Sequence, residues 1–427
     1  MSFYNHINME RREVEIMAPA GSRESLMAAI QGGADSVYFG VGHFNMRSRS
    51  SNNFSIKDLK KIVEITSRNG VKSYLSLNVE IFDNEAEQMN DLLDAAKQAG
   101  ISAVIAADIS VISYAREIGL EVHISTQLNI TNIEAVKFYS SFADVMVLAR
   151  EMNLGRIHEI NRQIAERQIR GPSGRLVRLE MFVHGALCMS ISGKCYLSLH
   201  EMNSSANRGA CLQTCRRAYI VTDKETGAEL EIDNEYIMSP KDLKTIHFLN
   251  KILDTGVSVL KIEGRARSPE YVKTTVECYR EAVESYFENT FSRDKIEDWD
   301  QRLASVFNRG FWDGYYLGQR LGEWSANYGS QATKRKIYIG KCTNYFTNIH
   351  VAEFLLQTQN LKKGDEIMIT GPTTGVVKTN VEEIRFDLEP VEEGLKGQII
   401  SVPVKERLRR SDKLYKIVEA NSIRQNR

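Results

Sequence analysis

Short apolar runs alternate with segments of helical periodicity along most of the chain before residue 264. The runs are Glu15 to Ala20, Ser36 to Val41, Lys72 to Val79, Ala103 to Asp108, Glu121 to Thr126, Val145 to Ala149, Leu179 to Gly185 and Ser258 to Glu263. Several of the helical segments end on glycine just before the next run, as at Gly70, Gly100 and Gly119, where a left-handed C-cap favours that residue. Eight parallel strands with alternating helices predict an α/β fold of the (β/α)8, TIM-like barrel type. A doubly wound open sheet is the alternative.

The pattern changes twice beyond the predicted barrel. From residue 268 apolar positions recur at helical spacing after Pro269, which predicts a helical extension packed on the barrel. From residue 331 alternating runs such as Lys336 to Gly340 and Glu366 to Thr370 predict a small C-terminal β-barrel domain. We therefore expect three parts: 1–267, the barrel with a Cys-rich segment at 184–217 after the seventh strand; 268–330, the helical extension; and 331–427, the small β-barrel domain and a tail.

Composition limits the partners and the compartment. The 427 residues contain 55 Lys plus Arg and 55 Asp plus Glu, so the formal net charge is zero. An anionic partner such as RNA must then be held by a local basic patch rather than by the overall field. No apolar stretch approaches the roughly 20 residues of a membrane span, and residues 1–12 lack the apolar core of an export signal. We expect a cytoplasmic protein without a membrane partner.

Four of the six cysteines are gathered in one short segment. They are Cys188, Cys195, Cys211 and Cys215, and the segment directly follows the seventh predicted strand. Four thiolates complete the ligand shell of either zinc or an iron–sulfur cluster. Structural zinc sites usually contain tight Cys-x2-Cys pairs, which are missing here, so the spacing favours an iron–sulfur cluster. Zinc, a disulfide pair and unrelated core cysteines stay open as alternatives.

Polar side chains follow the predicted strands at their carboxyl ends. They are Asn78, Gln127, Arg150, His184, Glu263, Arg265 and Arg267. In a (β/α)8 barrel the strand ends and the loops that follow them meet over one mouth, where such enzymes carry out their chemistry. We therefore expect these residues and the cysteine segment to share one site. The alternative is that these polar residues only cap strands and helices.

Other motifs contribute little. Gly-x-Ser-x-Gly and Walker sequences are missing, and His200-Glu201 is followed by Ser204 where a metalloprotease helix has its second histidine. The local sequence thus supports neither a catalytic nucleophile nor a hydrolytic metal. The segment 308–316 combines Arg309 with four aromatic residues that are suited to stacking on bases, although packing in the core is the favoured interpretation.

Four stretches together resemble peptidase family U32. They are Met17-Ala-Pro-Ala-Gly21, Ala34-Asp-Ser-Val-Tyr-Phe-Gly40, the cysteine segment, and Lys261-Ile-Glu-Gly-Arg265. The resemblance implies that Cys188, Cys195, Cys211 and Cys215 are ligands of a [4Fe–4S] cluster. It also implies a hydroxylase that works without O2, since the branch closest in length and layout hydroxylates uridine 34 of tRNA with prephenate as the donor. Other branches act on ribosomal RNA or ubiquinone precursors, and an older assignment describes collagenase-like peptidases.

The resemblance also suggests roles for the polar strand-end residues. A uridine of the tRNA anticodon loop would be unstacked into the barrel mouth and converted to 5-hydroxyuridine. Arg150, Arg265 and Arg267 would hold the two carboxylates of prephenate, and Asn78 and Gln127 would contribute to substrate binding. His184 and Glu263 would move protons. The alternatives are a U32-type peptidase, a hydroxylase of ribosomal RNA or of a ubiquinone precursor, and a non-catalytic RNA-binding protein with a structural cluster.

Overall fold

The computed structural model describes residues 9–49, 53–217, 222, 224–226, 238–319, 322–325 and 329–420. Its strands are β1 (Glu15–Pro19), β2 (Ser36–Gly40), β3 (Lys72–Leu77), β4 (Ala103–Ala106), β5 (Glu121–Ile124), β6 (Val145–Val147), β7 (Arg178–Ala186), β8 (Asp242–Lys244), β9 (Val259–Ile262), β10 (Phe311–Trp312), β11 (Lys334–Phe346), β12 (Val351–Leu356), β13 (Leu361–Lys362), β14 (Glu366–Gly371), β15 (Gly375–Asn380), β16 (Ile384–Phe386), β17 (Glu389–Val391), β18 (Glu393–Gly394), β19 (Ile399–Pro403) and β20 (Lys413–Glu419). Its α-helices are α1 (Arg23–Gln31), α2 (Leu59–Arg68), α3 (Ala86–Ala99), α4 (Ile109–Glu117), α5 (Ile133–Tyr139), α6 (Leu154–Glu166), α7 (Leu197–Met202), α8 (Leu249–Asp254), α9 (Pro269–Phe287) and α10 (Arg293–Ser305).

Eight parallel strands close into a barrel. β1 to β7 pair in chain order, and β9 pairs in parallel with both β7 and β1. Each of the eight predicted apolar runs overlaps one of these strands, so the predicted (β/α)8 barrel is confirmed. The runs were readable because strands covered on both faces are apolar throughout: all five residues of β1 and all five of β2 are buried.

The helices cover the outside of the barrel with one apolar face each. In α3 the buried residues Met89, Leu92, Leu93 and Ala96 follow the helical spacing, and Gly100 ends the helix with a φ of +85°. α9 contacts α1 and β1, and α10 packs against α9. No helix in the described ranges is long and apolar enough to cross a lipid bilayer.

A long insertion separates the last two barrel strands. The chain leaves β7, passes through the cysteine segment, returns as β8 antiparallel to β7, and only then reaches α8 and β9. β10 adds to β8 in parallel, with Trp312 opposite Leu243. Because the insertion starts at the carboxyl end of β7, it lies over the mouth of the barrel, as predicted for the Cys-rich segment.

The C-terminal part forms an eight-stranded antiparallel sheet in the order β15-β14-β20-β11-β12-β19-β16-β17. This confirms a separate C-terminal β domain. β15 packs on α1, where the Gln31 side chain donates to the Thr374 carbonyl at 2.8 Å and accepts from the Val376 amide at 2.9 Å. Lys336 also forms a 2.7 Å ion pair with Glu270 at the start of α9. The domain boundaries at 267 and 330 stay predictions.

Candidate active site

A cavity of about 290 Å³ opens at the carboxyl ends of the barrel strands, under the cysteine segment. Nine of the eleven residues predicted for the site line it: Asn78, Gln127, Arg150, Cys188, Cys195, Cys211, Cys215, Glu263 and Arg265. Largely apolar pockets with a few convergent polar groups are typical of ligand sites. The fold thus brings the strand-end residues and the four thiols to one place.

Glu263 is the central anion of the cavity. One of its carboxylate oxygens accepts from Arg47 Nη2 at 2.8 Å and Nε at 3.2 Å, and the other accepts from the Tyr38 hydroxyl at 3.2 Å. Burial by itself would raise the pKa of Glu263, but the cations Arg47 and Arg150 outweigh that effect and lower it to about 2. The carboxylate is therefore ionised at neutral pH and too weak a base for proton abstraction. Its structural effect is to hold Arg47 and Tyr38 in the cavity wall.

The two predicted arginines in the cavity are held in different ways. Arg265 is 5% exposed and donates from Nη1 to the Asn45 side-chain oxygen at 2.9 Å. Burial lowers the pKa of Arg265 to about 10, so the guanidinium stays charged at neutral pH. Arg150 lies over the Phe182 ring, with its guanidinium carbon 3.9 Å from the ring centroid, and donates to the Ala186 carbonyl. Both therefore present fixed positive charge.

An amide pair forms another part of the cavity lining. The Asn78 side-chain nitrogen donates to the Gln127 side-chain oxygen at 2.7 Å, and Gln127 donates back to the Asn78 backbone carbonyl. The Ser125 hydroxyl donates to the same Gln127 oxygen at 2.9 Å. These amides sit just beyond the ends of β3 and β5, and their mutual bonds fix their orientation.

The four cysteines of the insertion are free thiols. Burial raises the pKa of Cys215 to about 11, and the other three cysteines are close enough to act on it electrostatically. The next residue, Arg216, fastens the segment by donating to the Leu187 and Pro240 carbonyls, each at 2.6 Å. Four free thiols that line one cavity, without a competing disulfide, supply the ligand type and number that a four-thiolate cluster requires. Within the described residues no three Cys, His, Asp or Glu side chains lie at metal-binding distances from one another.

Positive charge dominates the cavity wall. The charged residues among those lining it are five cations and a single carboxylate: Arg47, Arg150, Arg216, Lys261, Arg265 and Glu263. Lys261 is offset by Glu180 just below the cavity, at 2.7 Å from Nζ to Oε1. After both acids are counted, a cationic excess remains. Such a wall favours an anionic ligand, for example a thiolate-bound cluster, a dicarboxylate or a phosphodiester.

Two predicted residues lie away from this cavity. His184 is 1% exposed and packs among the rings of Tyr271, Tyr279 and Phe311. Burial, aided by nearby cations, lowers its pKa to about 3, so the ring is neutral near pH 7 and has little capacity to take up a proton. Arg267 stacks on Phe307 at 3.7 Å and pairs with Asp242 at 3.5 Å. These positions favour structural roles over the predicted proton transfer and donor binding.

The cavity lining also includes three cations that the sequence pattern did not identify: Arg47, Lys261 and Arg216. Lys261 could have been identified from the sequence, because it lies at a strand end in the Lys261-Ile-Glu-Gly-Arg265 stretch and is followed two residues later by Glu263. Arg47 follows β2 in a loop without periodicity, and only its contact with Glu263 reveals it. Arg216 adjoins Cys215, which is the signal that could have identified it.

Similarity to known proteins identifies the family of this chain. The model of peptidase family U32 matches residues 21–326. The chain belongs to this family. A collagenase of Porphyromonas gingivalis is 61% identical over 96% of this chain and 99% of its own length. The tRNA hydroxylation protein P1 of Bacillus subtilis is 33% identical over 84% of each chain. A 23S rRNA 5-hydroxycytidine synthase of Escherichia coli is 33% identical over 74% of this chain and 47% of its own length. Named U32 relatives thus include both peptidases and RNA hydroxylases.

Proposed function

We propose that this U32 enzyme is an iron–sulfur-dependent tRNA hydroxylase that forms 5-hydroxyuridine at wobble position 34 with prephenate as the hydroxyl donor. The observation that carries the proposal is the shared cavity, which is lined by four free thiols and an excess of cations. The relative named tRNA hydroxylation protein P1, matched over 84% of each chain, supports an RNA substrate.

Cys188, Cys195, Cys211 and Cys215 would hold a [4Fe–4S] cluster. Such a cluster, when bound, supplies single-electron transfer next to the substrate. The chain provides the remaining features of the site. Its cationic wall offsets the negative charge of a four-thiolate centre, and the largely apolar lining limits the access of water.

The donor would be held by Arg150 and Arg265. Prephenate carries two carboxylates, and a guanidinium offers a planar pair of N–H donors that matches a carboxylate. Arg47 adds a third guanidinium, which Glu263 keeps in position. Asn78 and Gln127, which also line the cavity, offer a fixed amide edge for a substrate with polar groups.

Mass spectrometry of tRNA nucleosides, from strains with and without the gene, tests the reaction. We expect 5-hydroxyuridine derivatives to disappear with the gene and to return on complementation. The visible spectrum of the anaerobically purified protein provides the second measurement, with broad absorption near about 400 nm that dithionite bleaches. Unchanged tRNA from the deletion strain would refute the tRNA assignment, and loss of a ribosomal RNA or quinone modification would identify the alternative substrate.

A peptidase is the second candidate, favoured by the 61% identity to a protein named collagenase. None of the residues lining the cavity in the described ranges is a histidine. Peptide hydrolysis there would need a nucleophile or base of another kind. Incubation of the purified protein with gelatin, alongside a variant with Cys211→Ala and Cys215→Ala, distinguishes the two. Cleavage by the intact protein that persists in the variant would favour the peptidase.

A further inference from the structure

A small aromatic chamber adjoins the candidate active site. It has a volume of about 40 Å³, and we call it the aromatic annex, defined by Trp312, Tyr315, Gly322 and Trp324. Six residues line both the annex and the main cavity: Arg150, Leu187, Cys188, Met189, Ser190 and Ser192. The two spaces therefore share a wall that includes one of the proposed cluster ligands.

The fold ties the annex to the cysteine segment. Trp312 pairs with Leu243 of β8, and Trp324 forms a β-bridge with Pro240. The Pro240 carbonyl in turn accepts a 2.6 Å hydrogen bond from Arg216, the neighbour of Cys215. The two tryptophans and the residue next to Cys215 thus all contact the short segment 240–243.

Two residues that line the annex carry buried N–H groups that have no acceptor among the described residues. Trp312 is 5% exposed, and its Nε1 has no hydrogen-bond partner among the described residues. The same is true of Nε of Arg150. A buried donor without an acceptor is unfavourable, so both groups would gain from a ligand with carbonyl oxygens. Trp312 and Tyr315 meet edge to face at 5.3 Å, and with Trp324 they supply flat apolar surfaces.

We propose that the annex, together with the adjoining cavity, binds the pyrimidine base that is to be modified. This inference rests on the proposed RNA hydroxylase function. The base stacks on the aromatic wall, and its keto oxygens accept hydrogen bonds from Trp312 Nε1 and Arg150 Nε. A uracil ring combines a flat face with two keto oxygens, which matches both features of the wall at once. The annex alone is smaller than a base, so the ring extends into the cavity beside Cys188.

Saturation-transfer NMR with uridine 5′-monophosphate tests the site without any need for turnover. We expect saturation to reach the two uracil ring protons more strongly than the ribose protons. Trp324→Leu removes the stacking surface and should weaken binding roughly five- to hundred-fold, whereas Trp324→Phe should retain it. Phe346→Leu is the matched control, since Phe346 is an exposed aromatic residue of the C-terminal sheet.

A second variant fills the annex without removing any ring. A Cβ at Gly322 would lie 3.6 Å from both Trp324 and the Tyr315 hydroxyl, so the methyl groups of Gly322→Val would enter the space. We expect this variant to block uridine monophosphate as well. It keeps the proposal testable if Trp324→Leu does not fold.

Adenosine 5′-monophosphate distinguishes base recognition from phosphate binding. Adenine lacks a keto oxygen, so it should give weaker saturation than uracil.

Equal signals from both nucleotides, or binding by Trp324→Leu and Gly322→Val at the wild-type level, would overturn the annex assignment even if tRNA hydroxylation is confirmed. Conversely, base binding that follows these variants, in a protein that leaves tRNA unmodified, would refute the proposed reaction and retain the base site. Binding of proline-rich peptides but not of nucleotides would overturn the annex proposal in favour of a peptide.

Discussion

Arg47 donates two hydrogen bonds to a single carboxylate oxygen of Glu263, from Nη2 at 2.8 Å and from Nε at 3.2 Å. The two residues are far apart in sequence, one in the loop after β2 and the other just after β9. β1 lies between β2 and β9 in the barrel, so the contact between the two side chains spans the barrel mouth at β1. Because both side chains are largely buried, the pair fixes the shape of the cavity as well as its charge.

Glu263→Gln should destabilise the protein and abolish activity. It leaves Arg47, Arg150 and Arg265 near one another without their carboxylate, so we expect the free energy of unfolding to fall by roughly 3 kcal/mol. Urea denaturation measures the change. The control is Glu366→Gln, which affects a half-exposed pair with Lys334 and should cost less than about 1 kcal/mol. Equal losses in the two variants would show that the Glu263 pair is not structurally important.

Acid should destabilise the barrel through Glu15. Burial raises the pKa of this carboxyl, but Arg178 and Lys72 outweigh it and bring the pKa down from 4.5 to about 2. A lowered pKa in the folded state stabilises the protein above the unfolded value, and that contribution is lost as the pH falls from about 4.5 towards 2. It amounts to roughly 3 kcal/mol. Urea unfolding across this range should show a smaller pH dependence for Glu15→Gln than for the wild type. An unchanged dependence would contradict the assignment.

Replacement of Cys211 and Cys215 by Ala should remove iron and tRNA hydroxylation together. Two of the four proposed cluster ligands are then missing, while the barrel strands are unaltered. Iron analysis and circular dichroism of the anaerobically purified variant test binding and folding separately. The control replaces Cys278 and Cys342, which are buried in the helical layer and the C-terminal sheet, and should keep its iron. Full iron content in the first variant would rule out these ligands.

The C-terminal domain should contribute to RNA affinity through Arg407, Arg409 and Arg410, which lie between β19 and β20. All three are exposed and border a surface cavity with a volume of about 570 Å³. Replacing the three by Ala should weaken tRNA binding and reduce the slope of log affinity against log salt by about 2. Filter binding over a salt series measures this slope. Lys362 and Lys363, each 3.9 Å from a glutamate, provide a control pair whose removal should matter less. An unchanged slope in the arginine variant would exclude this surface.

The barrel was predictable because its signals are local. Strands such as β2 are covered on both faces and therefore read as unbroken apolar runs, and Gly100 marks a helix end that needs a positive φ. Glu263 and Arg265 were identifiable for the same reason, since strand ends meet at the mouth of this fold. Each inference needs only a short window of sequence.

The rest of the site depends on contacts between distant segments. The register between β7 and β9 shifts between Phe182, which lines the cavity, and His184, which does not. Strand alternation therefore fails to predict where the His184 side chain points. Arg47 lies in an irregular loop, and Trp312 acquires its place beside the thiols only through the pairing of β10 with β8. A sequence pattern carries no signal for these relationships.

The direct pairing of β7 with β9 separates folding of the barrel from insertion of the proposed cluster. Hydrogen bonds between these strands close the barrel, although the whole cysteine segment intervenes along the chain. The entropic cost of joining the two ends of a loop rises only slowly with its length, so the length of the insertion adds little to the cost of pairing these strands. The barrel strands can therefore pair before the four thiols bind the proposed cluster, which would then be inserted into an already folded protein. Oxidative loss of the proposed cluster would then leave a folded barrel that is able to bind a new one.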